Sequence, residues 1–541
     1  MKLLLLQPPV QDFYDTDVRL QPIGLAYLKA AVRKHLPNIR VVVRDYHHGH
    51  GRRTLPLPPE LRDLRDYYAA DDKSPFSSFF HYFHFGADFE TIAEEAAKER
   101  PDLIGLSSLF SPYYREVLRC AAAIKKRIHV PILLGGPHVS AMPEFMLSHP
   151  EVDFVIRGEG ERPLVELLRA LGRRKGLDRV PGLGFKKKGA LHLNPEGRPY
   201  SVRALRVPDL SDLPRERYLF EGRPLCFIIT SRGCPYRCSF CSVHRTFGHA
   251  YRERSARDIL GEMKQRYREG YRVFDFEDDN FTLNKKRTTA LCKKIIRSFP
   301  KKDVRLTAMN GVCYWTLDDE VLGTMREAGF THLNLSLVSS NQALLRKLRR
   351  PLWTEKYAAV VTKAAALGFK TVAYQILGLP GETVLSMVRT LRLNAKLPVL
   401  LGASPFYLTP GAPVAATFGP LSEADIFKAR LTALAIANPV ADRGDIYTLF
   451  ITTRILNFLK GIEFEHPAVP LEKALRIARV RDERSHTGVM LLRKLLHQKR
   501  LFAMTPAGRV PLPRFKPELF FKVWGELDRI MTQQNRTILI H

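Results

Sequence analysis

The stretch Phe227-Ile228-Ile229-Thr230-Ser231-Arg232-Gly233-Cys234-Pro235-Tyr236-Arg237-Cys238-Ser239-Phe240-Cys241 runs from an apolar segment straight into three closely spaced cysteines. Phe227 to Thr230 has the β-branched and aromatic character of a buried strand. The cysteines follow at CxxxCxxC spacing. Three thiolates so placed can bind three irons of a 4Fe-4S cluster and leave the fourth iron open to a small ligand, and an open coordination position marks a reactive site. Structural zinc is the alternative: it wants four ligands, usually from two separated pairs, and His244 would complete C-x3-C-x2-C-x2-H here.

Downstream the strand-helix rhythm repeats. Val273 to Phe276, Leu306 to Asn310, His332 to Leu337 and Thr371 to Leu377 read as strands, with a sixth at Val399 to Tyr407. Helical patterns such as Ala256 to Tyr267 and Lys285 to Ser298 separate them. Six βα units match a partial barrel better than a full eightfold one. After Pro420 the signal is helical, with Ile426 to Ala437, Tyr447 to Lys460 and Gly488 to Gln498, and prolines 511, 513 and 517 precede a last helix. Upstream, Met1 to Leu6, Ile39 to Arg44, Leu103 to Ser107, Pro131 to Leu134 and Phe154 to Ile156 read as strands, with helices at Gly24 to His35 and Tyr114 to Ile128. Such alternation implies a parallel sheet covered on both faces, whose ligands bind at the carboxyl ends of the strands. His50 to Phe89 is polar and aromatic with several prolines, an insertion rather than a tight loop. The predicted boundaries are 1–171 for a first domain, 172–222 for a connector with a hairpin at Gly182 to Leu193, 223–420 for the barrel and 421–541 for a helical C-terminal region.

Composition narrows the class. A chain of 541 residues with 45% hydrophobic content can bury two or three cores. Seven cysteines are too few for a disulfide framework, and Cys120, Cys226, Cys292 and Cys313, isolated from the group of three, read as small buried hydrophobes. Met1 to Leu6 is too short for a secretory signal, and no apolar run reaches the roughly 18 residues of a membrane span, so the cytoplasm is the default expectation. The net charge of +30 attracts anions, but the Lys and Arg residues are spread along the chain, as a solvated surface would have them.

The cysteine segment, with Phe240 just before Cys241, resembles the signature of the radical S-adenosylmethionine enzymes. Tyr251-Arg252-Glu253-Arg254-Ser255, Phe276-Glu277-Asp278-Asp279-Asn280-Phe281 and Gly378-Leu379-Pro380-Gly381-Glu382-Thr383 follow in the family's order. The resemblance implies a 4Fe-4S cluster on Cys234, Cys238 and Cys241. It also implies contacts to S-adenosyl-L-methionine from Phe240, Arg254, Ser255, Glu277, Asp278, Asp279, Gly378, Gly381 and Glu382. At one position the chain departs, because Val338 stands where many members have an acidic residue before the serine.

The first domain resembles the cobalamin-binding domain that precedes this barrel in a large subgroup, on Pro22-Ile23-Gly24-Leu25-Ala26-Tyr27-Leu28, Gly135-Gly136-Pro137-His138 and Arg157-Gly158-Glu159-Gly160-Glu161. Implied cobalamin contacts are Pro9, Gly24, Leu25, Ser107, Ser108, Gly135, Gly136, His138, Gly158, Glu159, Gly160 and Glu161, the glycines letting corrin and nucleotide tail approach the backbone. The segment Asp45-Tyr46-His47-His48-Gly49-His50-Gly51 has the residue types of a D-x-H-x-x-G cobalt-ligating motif, but with the glycine misplaced and after the second strand, so the cobalt's lower face is expected open or capped by a residue near Ser107 to Phe110.

The implied fold class is α/β: a doubly wound Rossmann-like cobalamin domain, a partial (β/α)6 TIM-type barrel and a helical C-terminal region. The implied activity is C-methylation of an unactivated carbon, with anaerobic cyclisation or oxidation on the same cofactors as one alternative. From another class, a cobalamin-dependent sensor or an RNA-binding protein with a structural cluster is the second. Expected partners are a small-molecule or lipid substrate and an electron donor such as flavodoxin or ferredoxin, with no stable nucleic acid complex.

Overall fold

The structure, a computed structural model, describes all residues except 15–20, 80, 431–433, 435–438, 463–469, 479, 481 and 534–541. The chain forms two compact units: Met1–Leu55, Tyr82–Asn280 and Leu408–Ala429 make the first, and Pro56–His81, Phe281–Tyr407 and Arg430–His541 the second.

In the first unit, apolar runs buried on both faces become a parallel sheet because each strand must return by a crossover. Lys2–Gln7, Arg40–Asp45, Leu103–Ser107, Ile132–Gly135 and Phe154–Ile156 are its parallel strands. Arg40–Asp45 lies on one side of Lys2–Gln7 and Leu103–Ser107 on the other, the flavodoxin-like order 2-1-3-4-5, with a topological switch point beside the first strand. The expected hairpin forms as Leu183–Lys187 and Ala190–Leu193, but it is more than connector: it pairs antiparallel onto Phe154–Ile156 and brings the sheet to seven strands among the described residues. The rest of the stretch read as connector also binds the first domain. Lys29 Nζ reaches Asp212 at 2.6 Å, and Tyr218 donates to Asp45 at 2.6 Å.

The insertion is divided. Tyr82–Phe85 pairs with both Val10–Asp12 and Arg52–Leu55 in a small sheet of the first unit. Residues 56–81 belong to the second, where Tyr67 and Tyr68 pack edge-on to Tyr447 at 5.4 and 5.3 Å and Met504 donates its backbone N–H to Asp72.

The first unit also holds the opening strands of the second βα series, Arg223–Ile228 and Val273–Phe276, paired in parallel with Leu225 opposite Val273. In the second unit His332–Val338, Lys370–Leu377 and Leu400–Pro405 form a parallel sheet, and Arg305–Thr307 is a shorter strand than expected. Helix Arg443–Lys460 covers the edge of Leu400–Pro405, where Asn457 accepts from Leu401 N–H and donates to Leu401 C=O, both at 2.8 Å, as a neighbouring strand would.

The C-terminal region is helical at Arg443–Lys460, Leu471–Ile477, Glu483–Gln498 and Pro517–Gln533. Of the helix expected over 426–437, the structure shows Glu423–Phe427, and most of the rest lies outside the described residues. Between these helices Phe502–Thr505 and Gly508–Pro511 form a β-hairpin that the helical expectation did not include, turned at Pro506-Ala507-Gly508 with Gly508 at φ +105°. No helix among the described residues is long and apolar enough to cross a membrane.

Candidate functional site

The cysteine loop leaves the strand Arg223–Ile228 through a short neck. There Ser231 and Arg232 pair antiparallel with Glu253 and Arg252, so residues 233–251 are closed off as a loop. Gly233 sits inside the neck at φ +83°, and a Cβ there would lie 2.3 Å from the Ala250 carbonyl oxygen. Only glycine fits both constraints. Gly233→Ala should therefore prise the neck open and lower the iron retained after reconstitution, with the fold otherwise intact. Full iron content would contradict this.

Cys234 and Cys241 are half-buried and Cys238 is buried. Burial pushes the Cys241 thiol up to about 11 and Cys234 upward as well, and the neighbouring Cys238 adds to both, so these two thiols are near enough to feel its charge. Thiols held this way need a metal cluster to become thiolates near neutral pH. His244, the extra zinc candidate, stacks on His249 with ring centroids 5.0 Å apart. Cys120, Cys226 and Cys292 are buried as expected, and Cys313 is half-buried.

Asp278, expected among the S-adenosylmethionine contacts, pins the start of the loop. Its Oδ1 accepts from the N–H groups of Thr230 and Ser231 at 2.6 and 3.0 Å, and its Oδ2 accepts from both hydroxyls. Asp279 accepts from Gly233 N–H at 2.9 Å, and burial followed by the Asp278 charge lifts its carboxyl to about 6. Glu277 is half-buried beside them at the strand end, and Phe240 is half-buried within the loop.

Two of the expected contacts serve the fold instead. Arg254 is 3% exposed, paired with fully buried Glu262 at 2.7 Å and donating to Ile229 C=O at 2.7 Å. Ser255 is the N-cap of helix Ala256–Arg268, accepting from Asp258 N–H at 3.1 Å. The Ser255-x-x-Asp258 spacing is itself a helix-start signal.

At the switch point of the seven-stranded sheet is a cavity of about 270 Å³. Its floor is apolar, with Leu5, Leu106, Leu133 and Ile156 from the strands and Leu28 and Leu164 from the covering helices. Gly24, Leu25, Ser107, Gly135, Gly136, Gly158, Glu159, Gly160 and Glu161 line it as expected. A Cβ added at Gly24 or Gly135 would meet no atom within 4 Å, so both open onto empty space. Gln7 Oε1 and Gln21 Nε2, on side chains 4% exposed, face this cavity's lining without a hydrogen-bond partner. Buried amides in that condition call for a ligand with matching polar groups.

Pro9, Ser108 and His138 lie outside the lining. Pro9 packs under Gly86, Ser108 joins Gly135 and His138 through backbone hydrogen bonds, and His138 is buried with its Nδ1 on the Ser111 hydroxyl at 3.0 Å. Nor do the histidines of 47–50 face the cavity. Asp45 Oδ1 instead accepts from the N–H groups of His47 and His48, a local turn. Ser107 and Leu109 are the lining residues from the expected capping segment.

Sequence reasoning missed one wall. Ile229, Arg232, Thr246 and Phe247, from the neck and far end of the cysteine loop, also line the cavity. Arg232 is 5% exposed, paired with Glu159 at 2.8 Å and Glu161 at 2.6 Å, with its guanidinium 5.5 Å from the Phe247 ring centre. No local pattern links residues 159–161 to 232, so only the tertiary pairing shows it.

In the second unit, the segment after Lys370–Leu377 turns at Gly378 and Gly381, both with φ near +80°. Glu382 is fully buried, accepting from the hydroxyls of Ser339 at 2.5 Å and Ser386 at 3.0 Å. Ser339 follows Val338, a β-branched residue at φ +69°, where the strand register also shifts. That backbone costs about 1–3 kcal/mol and is held in place by its surroundings. Burial lifts the Glu382 carboxyl from 4.5 to about 7. The folded chain thus holds this proton more tightly than the unfolded one, so stability falls as pH rises from 4.5 through about 7. Glu382→Gln should flatten that part of the thermal-stability profile, and an unchanged slope would contradict the assignment.

Comparison with known proteins agrees with this geometry. The model of the Radical SAM superfamily matches residues 228–393, and that of the B12 binding domain matches residues 78–168. An uncharacterized methyltransferase of Pyrococcus horikoshii is 28% identical over 405 residues, 74% of this chain and 79% of that protein. Cytidylyl-2-hydroxyethylphosphonate methyltransferase of Streptomyces wedmorensis is 25% identical over 418 residues, 70% and 73% of the two chains. Among solved structures, the apo form of the cobalamin-dependent S-adenosylmethionine radical enzyme OxsB matches with a TM-score of 0.65 over 92% of this chain and 72% of that one, at 15% identity, a likeness of fold.

The chain thus carries a radical SAM domain over residues 228–393 and, ahead of it, a B12-binding domain over residues 78–168. That pairing makes it an enzyme whose cofactors are a 4Fe-4S cluster, S-adenosylmethionine and cobalamin.

Proposed function

We propose that this enzyme is a C-methyltransferase acting on an unactivated carbon of a small-molecule or lipid substrate, with Cys234, Cys238 and Cys241 as cluster ligands and the switch-point cavity as the cobalamin site. The observation that carries the reading is the shared wall: Arg232 of the neck and Thr246 and Phe247 of the cysteine loop line the cavity. The named methyltransferase activities of the two relatives support methylation over cyclisation.

When bound, the cofactors supply reductive cleavage of S-adenosylmethionine to a radical, hydrogen abstraction and methyl transfer. The chain's own part is positioning. Asp278 fixes where the loop leaves its strand, and Gly233 and the neck fix its span. In the first unit Asp279, Glu277 and Phe240 are the residues offered to S-adenosylmethionine, as the family motifs imply, and in the second Glu382 braces the turns at Gly378 and Gly381, the remaining motif positions. Leucines and glycines of the cavity accept a flat apolar group close to the backbone, and Gln7 and Gln21 give it polar anchors. The electron comes from a donor such as flavodoxin or ferredoxin.

Deleting the protein from its native host and profiling metabolites and lipids tests the reading. A compound about 14 mass units lighter should replace the normal product, since one methylene is what methylation adds. An unchanged profile would count against methylation.

A further inference from the structure

One carboxylate from the other domain of its unit, Glu159, bridges both strands of the cysteine-loop neck, while Glu161 pairs with Arg232 alone. Glu159 Oε1 accepts from Arg232 at 2.8 Å and Glu159 Oε2 accepts from Arg252 at 2.8 Å, and these two arginines face one another across the neck ladder. The Glu159 side chain is 5% exposed, Arg232 6% and Arg252 16%, so the pairing is shielded from solvent. Surrounding bonds fix the arrangement: Tyr200 N–H donates to Glu159 at 2.8 Å, and Arg252 also donates to the carbonyls of Tyr200 and Phe247. Glu159 and Arg232 line the cavity as well.

We infer that Glu159, Arg232 and Arg252 form a positioning clamp that couples occupancy of the cavity to the geometry of the cluster loop. This rests on the cofactor assignment proposed above. A ligand filling the cavity immobilises Glu159 and Arg232, and through them both strands of the neck. The cluster, by closing residues 234–241, immobilises the same neck from the other side. Two ligands that order one element favour each other, and the coupling is reciprocal. Removing one partner from so buried a pairing is costly, and so the clamp transmits strain rather than absorbing it.

The test titrates hydroxocobalamin into the full chain under anaerobic conditions, with and without a reconstituted cluster, in the wild type, Glu159→Gln and Arg252→Gln. Glu159→Gln keeps the shape but turns one acceptor oxygen into a donor facing an arginine. Arg252→Gln breaks the other arm at the more exposed side. In the wild type the cluster should tighten hydroxocobalamin binding by about 5-fold or more. In both variants that ratio should fall towards one, and hydroxocobalamin should no longer slow the removal of iron by a chelator. Should one variant fail to fold, the other carries the test. Equal wild-type affinity in the two forms overturns the clamp, as does a ratio kept in the variants. A loss of affinity of the same size in both forms also overturns it, by marking Glu159 as a plain ligand contact. If hydroxocobalamin binds neither form of the wild type, the cofactor assignment itself falls and the clamp with it.

Discussion

Replacing any one of Cys234, Cys238 and Cys241 by alanine should remove the cluster and abolish formation of deoxyadenosine from S-adenosylmethionine. The three thiols share one loop and are half-buried or buried, and burial holds Cys234 and Cys241 protonated. In the proposed assignment each is one of the three protein ligands that a cluster with an open iron uses, and the loss of any one leaves the cluster short of a ligand. Cys226 has no part in this: it is fully buried in its strand and its thiol is held protonated by that burial. Cys226→Ala should therefore keep the iron and the activity. Iron content and the visible spectrum after anaerobic reconstitution check both statements, and a spectrum retained in Cys238→Ala would contradict the first.

A comparably large effect is expected from Gly135→Leu, this time on cobalamin. Gly135 ends a sheet strand, its φ lies outside the left-handed region, and a Cβ there meets nothing within 4 Å. A leucine is thus sterically acceptable to the backbone and projects into a cavity of only about 270 Å³. The apo protein should fold and take up its cluster, while hydroxocobalamin affinity should fall by about 100-fold, ~3 kcal/mol. Its neighbour Gly136 is unsuitable for this test, because φ +116° and the Ser108 carbonyl 2.5 Å from a Cβ would disturb the fold itself. Wild-type affinity in Gly135→Leu would place the cobalamin elsewhere.

Much of this architecture could be read from local pattern. Runs such as Leu103–Ser107 and Phe154–Ile156 are apolar because both sheet faces are covered, and they formed where expected. The strand-end glycines were legible for the same reason, since ligands of such sheets bind there. Elsewhere the decisive partner lay far away in the chain. Tyr82–Phe85 becomes a strand only by pairing with Val10–Asp12 and Arg52–Leu55. Arg254 sits in a motif segment that suggests cofactor contact, yet its buried partner is Glu262. Arg232 is next to the cysteine motif, but its role depends on Glu159 and Glu161, and no spacing rule joins them. The C-terminal hairpin was hidden by the strong helical periodicity on either side, although Pro506-Ala507-Gly508 is an ordinary turn signal.

Whether the cysteine loop and the neighbouring cavity serve one methyl-transferring site is tested by anaerobic incubation of the reconstituted protein with a reductant, S-adenosylmethionine, hydroxocobalamin and an extract of the deletion host, followed by mass spectrometry. Deoxyadenosine and S-adenosylhomocysteine should both form, the second only when hydroxocobalamin is present, together with a product heavier by about 14 mass units, one methylene. Deoxyadenosine without S-adenosylhomocysteine or a methylated product would contradict it.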